Sequence, residues 1–180
     1  MTNIRTNKVD AARRQIDVAI RLLFNNEDPI AIHTLAAAGS RILRDLCETK
    51  GTPFDKIMKA IIAPGKEKEV RKLMNRPANF FKHADEDPDE TLEFDDSVND
   101  ITLLMAVSYY GDLGNALTPE MRLLEGMCFA LHPNLLNDHI PSHIRKPYLD
   151  CSWLQTIPRT EQLKYMKEAL KKSHRNKMLI

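Results

Sequence analysis

Glycine is scarce in this chain of 180 residues, with six in all, and neither G-x-x-x-x-G-K-[ST] nor G-x-G-x-x-G occurs. Nucleotide binding through a glycine-rich phosphate loop is thereby set aside. H-E-x-x-H and G-x-S-x-G are also missing, which removes the common zinc-hydrolase helix and the serine nucleophile elbow. Cysteine is rarer still: Cys47, Cys128 and Cys151 are odd in number and share no C-x-x-C spacing. They read as three buried thiols in a reducing compartment, and the apolar helix patterns around Cys47 and Cys128 predict inert burial. No hydrophobic run approaches the roughly 20 residues of a membrane span, so no membrane association is expected. The opening M-T-N-I-R-T-N-K-V-D has no apolar stretch after its charges. It reads as lacking a secretory signal, and the protein as cytoplasmic.

What is present suits one soluble domain with a sizeable core: 43% of residues are apolar and 28% charged. The formal net charge of +1 hides an asymmetry. Residues 85–100 hold nine acids and no lysine or arginine, whereas residues 159–180 hold seven basic residues against two glutamates. Such separation can steer partners or pair two subunits head to tail; two solvated faces are the plainer account.

The periodicity is helical throughout, predicting an all-α, single-domain bundle of seven to nine helices. From Lys8 to Phe24 a stripe runs through Val9, Ala12, Ile16, Ala19, Ile20 and Leu23. Asp28-Pro29 supplies a cap and a first-turn proline for a second helix to Lys50, with Ile32, Leu35, Ala36, Gly39, Ile42, Leu43 and Leu46 inward and Gly51 closing it. The two helices are expected to form an antiparallel hairpin. Thr52-Pro53 predicts a short helix to Ile62, and Lys66–Met74 a further turn or two that ends before Arg76-Pro77. Pro77 is expected to open a new helix, closed by Asp87-Pro88. Thr91–Phe94 reads as extended. Asp96 or Ser97 caps a long helix to Tyr110, with Val98, Ile101, Leu104, Met105 and Ser108 inward, and Thr118-Pro119 starts one to Leu131. The core bundle thus covers about 8–131, residues 132–158 read as irregular, and a basic helix follows over 160–173.

Two clusters could supply metal ligands: His83, Asp85, Asp87 and Asp89, and His132, His139 and His143. Neither has zinc spacing, and H-A-D-E-D-P-D lacks the order of a calcium loop, so no metal and no cofactor is expected. The richer stretch is Arg76–Asp89. In a helix opened by Pro77, Arg76, Asn79 and His83 would fall at i, i+3 and i+7 on one stripe, with Phe81 opposite as an anchor. Imidazole exchanges protons near neutral pH, and guanidinium grips phosphate with two hydrogen bonds. Together they suit metal-free phosphodiester cleavage: His83 as base toward a ribose 2′-hydroxyl, Arg76 stabilising the charged phosphorane, Asn79 orienting, and Lys82 binding substrate. The bland alternative makes Asn79 and His83 ordinary surface or capping groups and pairs Arg76 with the carboxylates of 85–89.

Arg76-Pro77-Ala78-Asn79-Phe80-Phe81-Lys82-His83, an arginine and a histidine separated by six residues in a small helical bundle, resembles the motif of the HEPN superfamily (higher eukaryotes and prokaryotes nucleotide-binding domains). The segment N-F-F-K-H-A-D-E-D-P-D is also similar to one in bacterial proteins for which the likeness implies no activity. HEPN membership implies a bundle that dimerises so that two motifs share a cleft. It also implies either a metal-independent ribonuclease of toxin or defence systems or an inactive binding module. The family pattern has a polar residue directly after the arginine, where this chain has Pro77. A homodimer is expected, on the resemblance, on the small residues Ala36–Ser40 and on the complementary charged segments. Two function classes stay open: an RNA endonuclease using Arg76, Asn79, His83 and Lys82, and a non-catalytic ligand-binding or scaffolding module.

Overall fold

The computed structural model describes residues 3–52, 65–85, 88–135, 146 and 148–177, apart from the side chains of 67, 70, 73, 176 and 177. Among these residues the chain is all-α, with six α-helices, two short 3-10 turns and no strand. Seven to nine helices are predicted. The short helix expected from Pro53 to Ile62 lies outside the described residues, and two predicted helices are one, as set out below.

Helix α1 (Lys8–Phe24) starts where Asn7 Oδ1 accepts the Asp10 N–H at 2.8 Å. Helix α2 (Pro29–Lys50) starts where Asp28 Oδ1 accepts from the N–H groups of Ile30 and Ala31, and it ends at Gly51 with φ +61°. That left-handed value is what glycine reaches without steric cost. The expected hairpin forms: α1 packs along α2 through Ala12, Ile16, Ala19 and Ile20 on one side and Ala36, Gly39 and Leu43 on the other, all buried. Fully burying side chains such as Ile16, Ile20 and Leu43 stabilises by roughly 1.5–3 kcal/mol each. One member of the α2 stripe is not apolar. His33, with no exposed surface, lies on the buried side.

Helix α3 (Glu67–Phe80) overturns the reading of Arg76-Pro77 as a boundary, because it runs straight through Pro77 and stops three residues before His83. Proline disfavours a helix by removing an N–H and by crowding the residue before it. Pro77 stands in the last turn and lacks the N–H that would bond the carbonyl of residue 73, yet Pro77 and Ala78 are buried. Packing overrides the local preference. Beyond Phe80 the chain turns, with the N–H groups of Lys82 and His83 both reaching the Asn79 carbonyl.

Helix α4 (Val98–Asp112) packs on α2 and touches α1 and α5. It is therefore buried on nearly every side, Thr102 to Val107 consecutively, while Ile101, predicted to face inward, is 37% exposed. A helix enclosed on several faces has no single stripe, so its periodicity misplaces Ile101. Ser97 makes no side-chain cap. Helix α5 (Pro119–Leu131) starts as predicted: Thr118 Oγ1 accepts the Met121 N–H at 3.2 Å and donates to the buried Asp17 Oδ1 at 2.7 Å. Turns over Pro133–Leu135 and Ser152–Thr156 lead to helix α6 (Arg159–Lys177), whose Leu163, Met166 and Leu170 face the core. Leu154 is buried, with Gln162 Nε2 donating to its carbonyl at 2.9 Å. No helix among the described residues is long and apolar enough to cross a membrane.

Candidate anion-binding cleft

An open cleft lies where α3 runs beside α2 and α4, about 590 Å³ counting the space open to solvent. Its floor is apolar or weakly polar: Ala37 of α2, Met74 and Ala78 of α3, Met105 and Tyr109 of α4. Its rim is cationic, with Arg41 and Arg44 from α2, Arg71 from α3 and Lys82 from the turn after α3. The spacing explains the arrangement. On α3, Arg71, Asn75 and Asn79 recur every fourth residue and so share one face. On α2, Ala37, Ser40, Arg41 and Arg44 recur at three and four.

No carboxylate lines this cleft among the described residues. Arg44 is held from outside it, by Asp45 at 2.9 Å and Glu48 at 3.7 Å. Arg41 and Lys82 are exposed. Guanidinium and ammonium groups around amide and hydroxyl side chains (Asn75, Asn79, Ser40) match the donor set that phosphate oxygens accept from. Among the described residues neither a histidine nor an acid lines the cleft.

The four residues singled out from sequence divide here. Asn79 and Lys82 line the cleft. Arg76, one face away on α3, turns outward and donates through Nη2 to Glu90 Oε1 at 2.8 Å, with its side chain 59% exposed. His83 is past the helix end, 64% exposed, with Nδ1 3.9 Å from Asp85 Oδ1. The stripe expected to unite Arg76, Asn79 and His83 is not formed, because the helix that would carry it ends at Phe80. Phe81 does act as an anchor. Its ring meets that of Phe94 at 5.4 Å, and both close on His33.

Arg41, Arg44, Arg71 and His33 escape the sequence reading. The arginines sit at helical spacing on two helices whose shared cleft only the fold reveals. His33 leaves a faint signal, as the one imidazole bordering the apolar stripe of α2.

Other buried charges serve as joints between helices. Arg159, at the start of α6, donates to Asp100 of α4, whose carboxyl burial pushes above the usual range while Arg159 opposes that rise. Burial likewise raises Asp17, against the Thr118 hydroxyl. Glu120 accepts from Arg21 at 2.8 Å and lies 3.3 Å from His174 Nε2. Its burial is outweighed by its own backbone N–H and by Arg21, so its carboxyl stays below the usual value. Burial pushes the Cys128 thiol well up, consistent with an inert side chain. No group of three His, Cys, Asp or Glu side chains that could hold a metal occurs among the described residues. Asp87, His139 and His143 of the two clusters named from sequence lie outside them.

No family model, curated protein or solved structure matches this chain.

Proposed function

We propose that this protein is a HEPN-like, cytoplasmic RNA-binding module that holds the phosphate backbone of RNA in the cleft between α2 and α3. The observation that carries the reading is the convergence of Arg41, Arg44, Arg71 and Lys82 on a cleft lined by no carboxylate among the described residues. Backbone binding of this kind depends on charge and is therefore steeply sensitive to salt. The apolar floor beneath the cationic rim adds a surface on which an unstacked base can rest. The test is equilibrium binding of a fluorescein-labelled oligouridylate over a series of salt concentrations. Tight binding at low salt that fades as salt rises supports the reading, and no binding at low salt ends it.

Metal-independent cleavage is the second reading, favoured by one observation: the exposed imidazole of His83 follows directly on Lys82, which lines the cleft. In this reading His83 takes the 2′-hydroxyl proton, Arg76 leaves Glu90 for the phosphate, and a homodimer brings two motifs together. Products then carry a 2′,3′-cyclic phosphate, chelators have no effect, and His83→Ala removes most activity. Cleavage equal in wild type and His83→Ala points to a contaminating nuclease.

A further inference from the structure

We propose that His33 is the positioning residue of this cleft: through Phe81 it fixes Lys82 at the rim, and a proton added to its ring frees Phe81 and weakens anion binding. The inference rests on the cleft reading above and adds its regulation.

The hydrogen bonds around His33 assign its tautomer. Asn99 Nδ2 donates to the Pro29 carbonyl at 3.1 Å, so Asn99 Oδ1 is the free acceptor and faces His33 Nδ1 at 3.0 Å. Nδ1 therefore carries the hydrogen, and Nε2 keeps a lone pair. Nε2 is buried with no hydrogen-bond partner among the described residues. Phe81 and Phe94 shut the ring in, with centroids 5.9 Å and 5.1 Å from it and planes at 81° and 64°. These two aromatics come from opposite ends of the connection between α3 and α4. Lys82 is the next residue after Phe81, so the anchor of one sets the location of the other.

A proton can enter only at Nε2, where no described residue accepts a hydrogen bond. A buried imidazolium with an unmet donor is costly, and opening to water relieves it. From α4 the group facing His33 is the neutral Asn99; from the connection the charged group is Lys82, whose field also opposes protonation. Burial is the largest influence holding the ring below its ordinary value, against the Asn99 bond. The open form takes up its proton near the ordinary value of about 6.5, so acid shifts the balance toward it. The sign is unusual. Phosphate sites bordered by histidine bind tighter in acid, whereas this cleft weakens.

The experiment uses the full chain carrying His83→Gln, which removes the exposed imidazole next to Lys82. Two quantities are read at about pH 7.5 and about pH 5.5, either side of the ordinary imidazole value. One is amide hydrogen exchange over residues 79–84 and 91–97, normalised for intrinsic rate; the other is affinity for labelled oligouridylate. The expected result in acid is faster exchange in both segments, with affinity falling roughly three- to tenfold and the salt slope shrinking by about 0.7, one single-strand phosphate contact. Adding His33→Gln should flatten both profiles. If that variant fails to fold, Phe94→Leu serves instead: it loosens the clamp at neutral pH, weakening binding there and blunting the response to acid. Constant exchange, or affinity that holds or rises in acid, overturns the inference. Arg41→Glu separates the two levels. Weakened binding by Arg41→Glu without the pH effect sinks the His33 proposal alone, whereas unchanged binding by Arg41→Glu sinks the cleft reading and this proposal with it.

Discussion

Gly39 of α2 touches Ile16 of α1 so closely that a Cβ at position 39 would stand 2.8 Å from Ile16 Cγ1 and 3.2 Å from the Ala12 carbonyl oxygen. The small residues in the middle of α2 therefore let α1 approach. Gly39 and Ala36, which on sequence grounds could have served self-association, are spent inside the chain.

Gly39→Ala tests that crossing. Alanine gains about 1 kcal/mol in helix propensity, but overpacking typically costs about 1–3 kcal/mol. The backbone oxygen of Ala12 cannot swing aside as a side chain can. A lower Tm, by roughly 2–4 °C for each kcal/mol lost, is expected from calorimetry. An unchanged or higher Tm would mean a looser crossing than described.

Arg159 and Asp100 supply a pH-dependent prediction. Arg159→Gln leaves a largely buried carboxylate without its guanidinium and should cost on the order of 2–3 kcal/mol at neutral pH. Because burial raises the Asp100 pKa in the folded state, the folded form holds its proton at pH values where the unfolded form has released it. The penalty is thus present at neutral pH and fades as pH falls through the folded-state value. Denaturant titrations should find the gap between wild type and variant narrower at about pH 5 than at about pH 7.5. A gap that stays constant or widens in acid contradicts the assignment.

Thr118 holds two partners with one hydroxyl. Thr118→Val removes both the cap on Met121 and the hydrogen bond to Asp17, and should destabilise by about 1–2 kcal/mol. Thr118→Ser keeps both and should recover most of that loss in the same melting experiment. Equal losses would mean that the methyl group matters as much as the hydroxyl.

Arg76→Ala should change stability by less than about 1 kcal/mol, since its ion pair with Glu90 is largely solvated. A larger loss by chemical denaturation would make this pair a structural clasp.

Much of the fold was legible because its signals are local. Asp28-Pro29, Gly51 and Thr118-Pro119 act on the backbone within a few residues, and the boundaries they mark are found as read. The stripes of α1 and α6 also read correctly, each facing the core on one side. Pro77 misled because its local penalty competes with burial of Pro77 and Ala78, which sequence spacing does not express. Ile101 misled because α4 is enclosed from several directions. For the cleft, only Asn79 and Lys82 were visible, as polar residues near a helix end. Arg41 and Arg71 are 30 positions apart and meet through the packing of α3 against α2. Arg76 drew attention by its neighbours in sequence, yet its partner in space is Glu90.

The most direct measurement compares two double variants in one binding experiment: Arg41→Glu with Lys82→Glu, and Arg76→Ala with His83→Ala. Each is titrated against labelled oligouridylate by fluorescence anisotropy at low salt, after circular dichroism confirms wild-type helicity. If the cleft is the RNA site, the first pair weakens binding at least roughly tenfold and flattens its salt dependence, while the second changes affinity less than about twofold. Full affinity in the first pair, or its loss in the second alone, would contradict the account and move the site to Arg76 and His83.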